Sequence, residues 1–191
     1  MPETRSERPI VLAVWLIVAG VIGWWAAFSL TMERFALLAD PEAIASCDFS
    51  LLVQCTANLE SAQGSVFGFP NPILGLTGWV APIVVGFALL AGARFARWFW
   101  WCFCAGTALA FAFVLWLIGQ SVFALGTLCP WCMVTWVVTI PTFYAVTVHA
   151  LRVSGVPWAR RLGAWVPLMA ILTYAGVAVI AQAQLNWLAQ L

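Results

Sequence analysis

Lysine is absent from the 191 residues, histidine occurs once, and every basic charge is an arginine. Only 8% of the chain is charged, where soluble domains carry about 25%, and 64% is hydrophobic, where they carry about 45–50%. A chain this poor in charge has too little polar surface to face water, which excludes a soluble globular domain. The formal net charge of +1 gives no basic field for nucleic acid. Internal repeats and low-complexity tracts are also missing, so one helical bundle is the natural organisation.

What remains is long apolar runs. Crossing a hydrocarbon core takes about 20 residues at roughly 1.5 Å rise each, and five stretches reach that length: about Pro9–Thr31, Ile73–Ala93, Trp98–Phe123, Leu128–Leu151 and Leu162–Ala183. The first follows Arg5 and Arg8 but is longer than a signal-peptide core and lacks a clear cleavage site, so it reads as a retained anchor. Pro82, Pro141 and Pro167 fall inside spans, where helices tolerate them as kinks. None of the five spans carries a charge that would mark an ion path, which argues against a transporter.

The arginines orient these spans. Arg5, Arg8, Arg94, Arg97, Arg152, Arg160 and Arg161 fall on one side and Arg34 alone on the other. The positive-inside rule makes the majority side cytoplasmic. The segment of about residues 32–72, the turn near Gly126 and the C-terminus then face outward.

Sorted by side, the six cysteines separate into kinds. Cys47 and Cys55 lie in the outer segment, and Cys129 and Cys132 at the outer mouth of the fourth span. Disulfides persist outside the cytoplasm, so four outer cysteines in two pairs point to redox work. Cys102 and Cys104 lie near the cytoplasmic face, two residues apart and therefore on different helix faces, and read as packing residues.

The sequence CPWC at 129–132 has a geometry of its own. Proline is favoured at the first helical position, which makes Cys129 the N-cap and puts Cys132 in the first turn, on the same face and within disulfide reach. Unpaired N–H groups and the helix dipole favour a thiolate at that place. Cys132 is about one turn deeper, so the pair can meet protein thiols above and a lipid-soluble acceptor below. Structural disulfides and zinc remain the competing readings, although zinc prefers a second closely spaced pair and seven residues separate Cys47 from Cys55.

The stretches CDFSLLVQC (47–55), SAQGSVFGFPNPILG (61–75) and CPWC (129–132) resemble the bacterial branch of the vitamin K epoxide reductase family. The likeness covers the first four spans and the outer loop, with a fifth span beyond. It implies an all-α membrane fold: five transmembrane helices, four of them bundled around a quinone and capped by the loop between helices one and two. It also implies that Cys47 and Cys55 pass electrons to Cys129 and Cys132, with Cys132 beside the quinone ring. Ser61 falls on the family's loop serine, and Asn71 on an asparagine that hydrogen-bonds a quinone carbonyl. Trp136 stands where vertebrate enzymes have a tyrosine; an indole N–H donates but cannot release a proton in that role. SVFGF, with Phe67 and Phe69, suits an interfacial cap. Asp48 positions the loop, moves protons or is a solvated acid, and His149, 17 residues beyond Cys132, is too remote to serve the pair.

Many bacterial members carry a thioredoxin-like domain after the fifth span, whereas eight residues follow Ala183 here. The resemblance therefore implies a separate DsbA-like thioredoxin-fold partner and a thiol:quinone oxidoreductase of the bacterial inner membrane, using menaquinone or ubiquinone and no metal. The alternatives are a reductase of vitamin K quinone or epoxide, and a non-catalytic membrane protein stapled by disulfides.

Overall fold

The computed structural model describes residues 9–40, 42 and 44–186. Arg5 and Arg8, on which part of the orientation argument rests, lie outside the described residues. Among the described residues eight α-helices run in chain order: α1 (Ile10–Ala39), α2 (Thr56–Glu60), α3 (Pro72–Gly78), α4 (Val80–Leu90), α5 (Arg97–Gly119), α6 (Pro130–Val153), α7 (Ala159–Leu162) and α8 (Val166–Leu185). Five helical stretches are long and apolar enough to cross a membrane: α1, α3 with α4, α5 with the π-turn that follows it, α6, and α7 through α8.

Three features differ from the sequence reading, each for a local reason. Helix α1 continues eight residues past Thr31, because nothing in MERFALLA breaks it before Asp40. The second span is two helices that meet at Trp79. Pro82 has no N–H for the Gly78 carbonyl four residues back, which interrupts the ladder there. Pro167 does lie inside the fifth span, but in the first turn of α8, where a missing N–H breaks no bond and calls for no kink. Pro141 does sit inside α6, which runs on through it to Val153.

Lipid tails are as apolar as leucine, so helices in a bilayer associate through close packing of small side chains more than through burial from water. Helix α1 supplies that surface: Ala13, Leu16, Ala19, Gly20, Gly23, Ala26, Ala27 and Leu30 recur at spacings of three and four and are all buried. It packs against both α4 and α6. An added Cβ on Gly23 would collide with the Trp79 indole, and one on Gly86 with the α1 backbone at Ala13. Helix α8 stands outside this bundle. It touches α6 through the Tyr174 hydroxyl, which donates to the Val137 carbonyl (2.6 Å), and through the Tyr144–Thr173 hydroxyl pair (2.9 Å).

The two ends of the bundle differ in chemistry. At one end, the start of α1, the end of α4, the start of α5 and the end of α6 share a core of Ala13, Leu89, Trp100 and Ala150. Arg94 lies on the connection there, Arg97 opens α5 and Arg152 is in the last turn of α6, and His149 packs edge-on against Trp100 with ring centroids 4.2 Å apart. At the other end Leu30, Leu37, Cys47, Cys55, Leu59 and Cys129 form a second core. Cys47, Cys55, Cys129 and Cys132 thus lie at the pole opposite the arginine-rich turns, while Cys104 belongs to the arginine-side core.

Gly23→Ala should destabilise the bundle by about 1–3 kcal/mol, the usual range for overpacking, whereas Gly176→Ala, with open space around its Cβ position, should be nearly neutral. Thermal unfolding of the two variants in one detergent checks this.

Candidate active site

The outer loop is folded onto the mouth of α6 by a set of short-range bonds. The Asp48 carboxylate accepts from the N–H of Cys55 (2.5 Å) and of Thr56 (3.1 Å), and from the Thr56 hydroxyl (2.6 Å). It thereby satisfies free donors at the start of α2 and fixes where Cys55 sits. Burial alone would raise the Asp48 pKa, but these hydrogen bonds together hold it below the ordinary carboxylate value. Asp48 is therefore a loop anchor, the first of its three sequence readings.

A backbone bridge then ties the loop to the bundle. Leu128 N–H donates to the Leu52 carbonyl (2.7 Å), and Gln54 N–H donates to the Leu128 carbonyl (3.1 Å), pairing Val53 with Leu128. Cys55 follows Gln54 by one residue and Cys129 follows Leu128 by one, so the bridge sets the two sulfurs side by side. Cys55 Sγ lies 3.4 Å from Cys129 Sγ, and both residues are fully buried.

Cys47 and Cys55 form a disulfide, while Cys129 and Cys132 are free thiols. The two loop sulfurs and an Asp48 oxygen also lie within 4.8 Å of one another, a spacing a metal ion can use. Here the sulfurs are bonded to each other and the carboxylate is taken up by its three donors.

As the sequence predicts, Cys129 is the N-cap of α6 and Pro130 its first residue. The Cys132 N–H points at Cys129 Sγ (3.4 Å). Hydrogen bonding from the Cys132 thiol, then from the N–H groups of Cys132 and Trp131, holds the Cys129 thiol below its usual pKa, although burial and the Asp48 charge act against this. A lowered thiol at a helix N-terminus is the more easily ionised attacking or leaving group.

Below Cys132 opens a cavity of about 870 Å³, walled by α1, α3 and α4, α5 and α6 and roofed by the loop. Cys132, Thr135, Trp136, Thr139 and Thr142 all face it from α6, at the three- and four-residue spacing of one helix face. The three threonine hydroxyls donate to the carbonyls four residues back, at 2.6–3.2 Å. The wall is otherwise mostly apolar, and no lining residue comes from α8. An apolar chamber whose polar groups gather at its roof can hold a lipid-soluble molecule.

Ser61, Phe67, Asn71 and Trp136, singled out from sequence, also line this chamber. Ser61 and Asn71 line its roof. Ser61 caps the short 3₁₀ turn Ala62–Ser65: its hydroxyl accepts from Gly64 N–H (3.0 Å) and donates to the Asn58 carbonyl (2.8 Å). Asn71 donates to the Gln63 carbonyl (2.6 Å) and accepts from Val66 N–H (3.2 Å). One of its two amide hydrogens is thus committed to holding the roof. Trp136 is buried in the wall among Val114, Ile118 and Ile140. Phe67 stacks with Phe69 and tilts onto Phe113 of α5, linking the loop to that helix.

Two features depart from the sequence reading or escape it. Cys104 is buried in the arginine-side core as expected, but Cys102 is exposed and faces the cavity, because two residues of a helix lie about 200° apart around its axis. Unforeseen, too, is a polar seam joining roof to bundle, in which Asn58 meets Ser121 and Thr127 and Gln63 meets Gln120. Its members stand 57 to 69 residues apart, so no local pattern could reveal them.

A disulfide in contact with a dithiol, the latter opening into an apolar chamber among four membrane helices, defines a membrane-embedded redox protein. The profile of the vitamin K epoxide reductase family matches residues 14–147, which hold all four outer cysteines and the four-helix bundle, and the chain belongs to that family. No curated protein matches the chain.

Because the folded-state pKa of Asp48 is depressed, its stabilisation is fully present above the ordinary carboxylate value of 3.8 and is lost as pH falls below it toward the folded value. The stability difference between wild type and Asp48→Ala should therefore be constant near neutrality and shrink below about pH 4. Thermal unfolding across pH 3–7 checks the sign.

Proposed function

We propose that the protein is a thiol:quinone oxidoreductase that reoxidises a separate DsbA-like thioredoxin-fold protein and so supports disulfide formation in exported proteins. The observation that carries this reading is the 3.4 Å approach of Cys55 Sγ to Cys129 Sγ, with Cys132 in the cavity wall beyond. Family membership supports the redox class and the use of quinone. The cysteine pole then faces the periplasm of a bacterial inner membrane, with the arginine-rich turns in the cytoplasm.

The same approach assigns an order to the thiols. Cys55 is the loop cysteine that exchanges with Cys129, which leaves Cys47 for the partner. A partner thiolate attacks Cys47 Sγ, forming a mixed disulfide and releasing Cys55 as thiolate. The partner's second thiol then attacks its own bridged sulfur, leaves oxidised, and returns Cys47 as a thiol. Cys55 next attacks Cys129 Sγ of the oxidised inner pair, and Cys132 departs as a thiolate facing the cavity. Cys47 closes on Cys55, re-forming the loop disulfide and freeing Cys129. Each exchange conserves one disulfide. A quinone, menaquinone or ubiquinone, supplies the acceptor for the two electrons and two protons of the inner dithiol.

Cys132 and the Asn71 amide are the groups placed to face its ring end, with Trp136 alongside and the loop over it excluding water. Reduction of vitamin K quinone or epoxide would use the same relay. Opening an epoxide calls for a proton donor, however, and the indole of Trp136 cannot act as one.

The order of thiols fixes two different trapped species. Cys55→Ala leaves Cys47 as a thiol that can open the disulfide of the oxidised thioredoxin-fold partner, releasing one partner thiol and accumulating a Cys47 mixed disulfide that no Cys55 resolves. In Cys47→Ala, Cys55 opens the Cys129–Cys132 disulfide, releasing Cys132 and accumulating a Cys55–Cys129 bond. Non-reducing gels with mass spectrometry read both, and exchanged products would reverse the order. Should both variants oxidise the partner at wild-type rate, the loop pair is no relay and the cysteines are staples.

Loss of the ring-side thiol in Cys132→Ser should abolish quinone reduction. Asn71→Ala should weaken it by about three- to tenfold, the kinetic equivalent of one hydrogen bond. Quinone reduction assayed in detergent with a saturating dithiol tests both.

A further inference from the structure

Cys55 is held against Cys129 from two sides. On its N-terminal side the backbone bridge between residues 52–54 and Leu128 does the work. On its C-terminal side, one turn further along α2, Asn58 Nδ2 donates to Thr127 Oγ1 (3.0 Å) and Oδ1 accepts from Ser121 Oγ (2.9 Å). Ser121 and Thr127 are both buried. They flank the turn that leads into Cys129, where the π-turn Gln120–Leu125 ends at Gly126 in the left-handed region (φ 68°).

An amide offers a donor and an acceptor on one rigid plane, so Asn58 grips both hydroxyls at once. A purely apolar contact would let α2 slide, whereas these bonds restrain both its depth and its rotation. Two sulfurs must come within covalent range for exchange, so the restraint acts on the reacting atoms although none of the three residues touches them.

We propose that Asn58, Ser121 and Thr127 form a latch that positions Cys55 for exchange with Cys129, setting the effective concentration of one thiol at the other. This rests on the relay reading, in which those two cysteines exchange. Latch and relay fail in distinguishable ways.

The test uses the full chain in detergent with Cys47→Ala and Cys132→Ala, which leaves Cys55 and Cys129 to react at the outer pole. Oxidised glutathione converts the two thiols to a Cys55–Cys129 disulfide and is itself reduced to two glutathione thiols. The equilibrium ratio in glutathione buffers gives the effective concentration of the pair.

Thr127→Val is nearly isosteric and removes one bond of the latch. It should lower that concentration about three- to tenfold, and Asn58→Leu by at least as much. Because the residues act as one unit, adding Thr127→Val to Asn58→Leu should cause no further fall. Gly23→Ala, which strains the bundle between α1 and Trp79, should lower thermal stability yet leave the effective concentration unchanged.

An unchanged value in Thr127→Val, full additivity of the two variants, or an equal fall in Gly23→Ala would each overturn the latch. Failure of the parent background to form the Cys55–Cys129 bond at all would overturn the relay and the latch with it.

Discussion

Everything distinctive in this molecule depends on the seam where the outer loop meets the mouth of α6. Residues 52–54 pair their backbone with Leu128, and the next residue on each side is a cysteine, so two hydrogen bonds align two sulfurs at 3.4 Å. Backbone pairing is a sound device for this purpose, because it does not depend on rotamers and places successive residues at fixed offsets. The same seam roofs the cavity, and one small interface therefore joins the two cysteine pairs and encloses the chamber.

The bundle beneath exists to hold that seam steady. Glycine and alanine along α1 bring it close to α4 and α6, and the Pro82 interruption at Trp79 divides the second span between cavity wall and bundle packing. Helix α8 contributes nothing to the cavity lining and lies beyond the stretch that matches the family. The working part is four helices and a loop, and the fifth span packs on its outside through tyrosine hydroxyls.

Polar groups are few, and nearly all are spent on geometry rather than on charge. Asp48 fixes the start of α2, Ser61 and Asn71 shape the roof, and the α6 threonines return their hydrogens to their own helix. In an apolar setting an unsatisfied donor or acceptor is expensive, so each side chain near the chamber is pinned. The sole ion pair between side chains among the described residues, Arg34 with Glu60 at 4.0 Å, links α1 to the end of α2 at the same pole.

Composition and periodicity alone determined the solvent, the five spans and their alternation, because hydrocarbon admits only long apolar helices with their backbone bonds closed internally. The CPWC motif also carried its own local structure: proline at the first helical position makes Cys129 a cap wherever the helix goes. The resemblance supplied the pairing of cysteines and the residues around the chamber. Tertiary structure decided which loop cysteine faces the inner pair, that Asp48 is an anchor, that Cys102 looks into the cavity, and that Asn58 spans the seam to Ser121 and Thr127. These are contacts between segments tens of residues apart. No local rule of spacing or propensity encodes such a contact, since it exists only once the chain has brought both segments to one pole of the bundle.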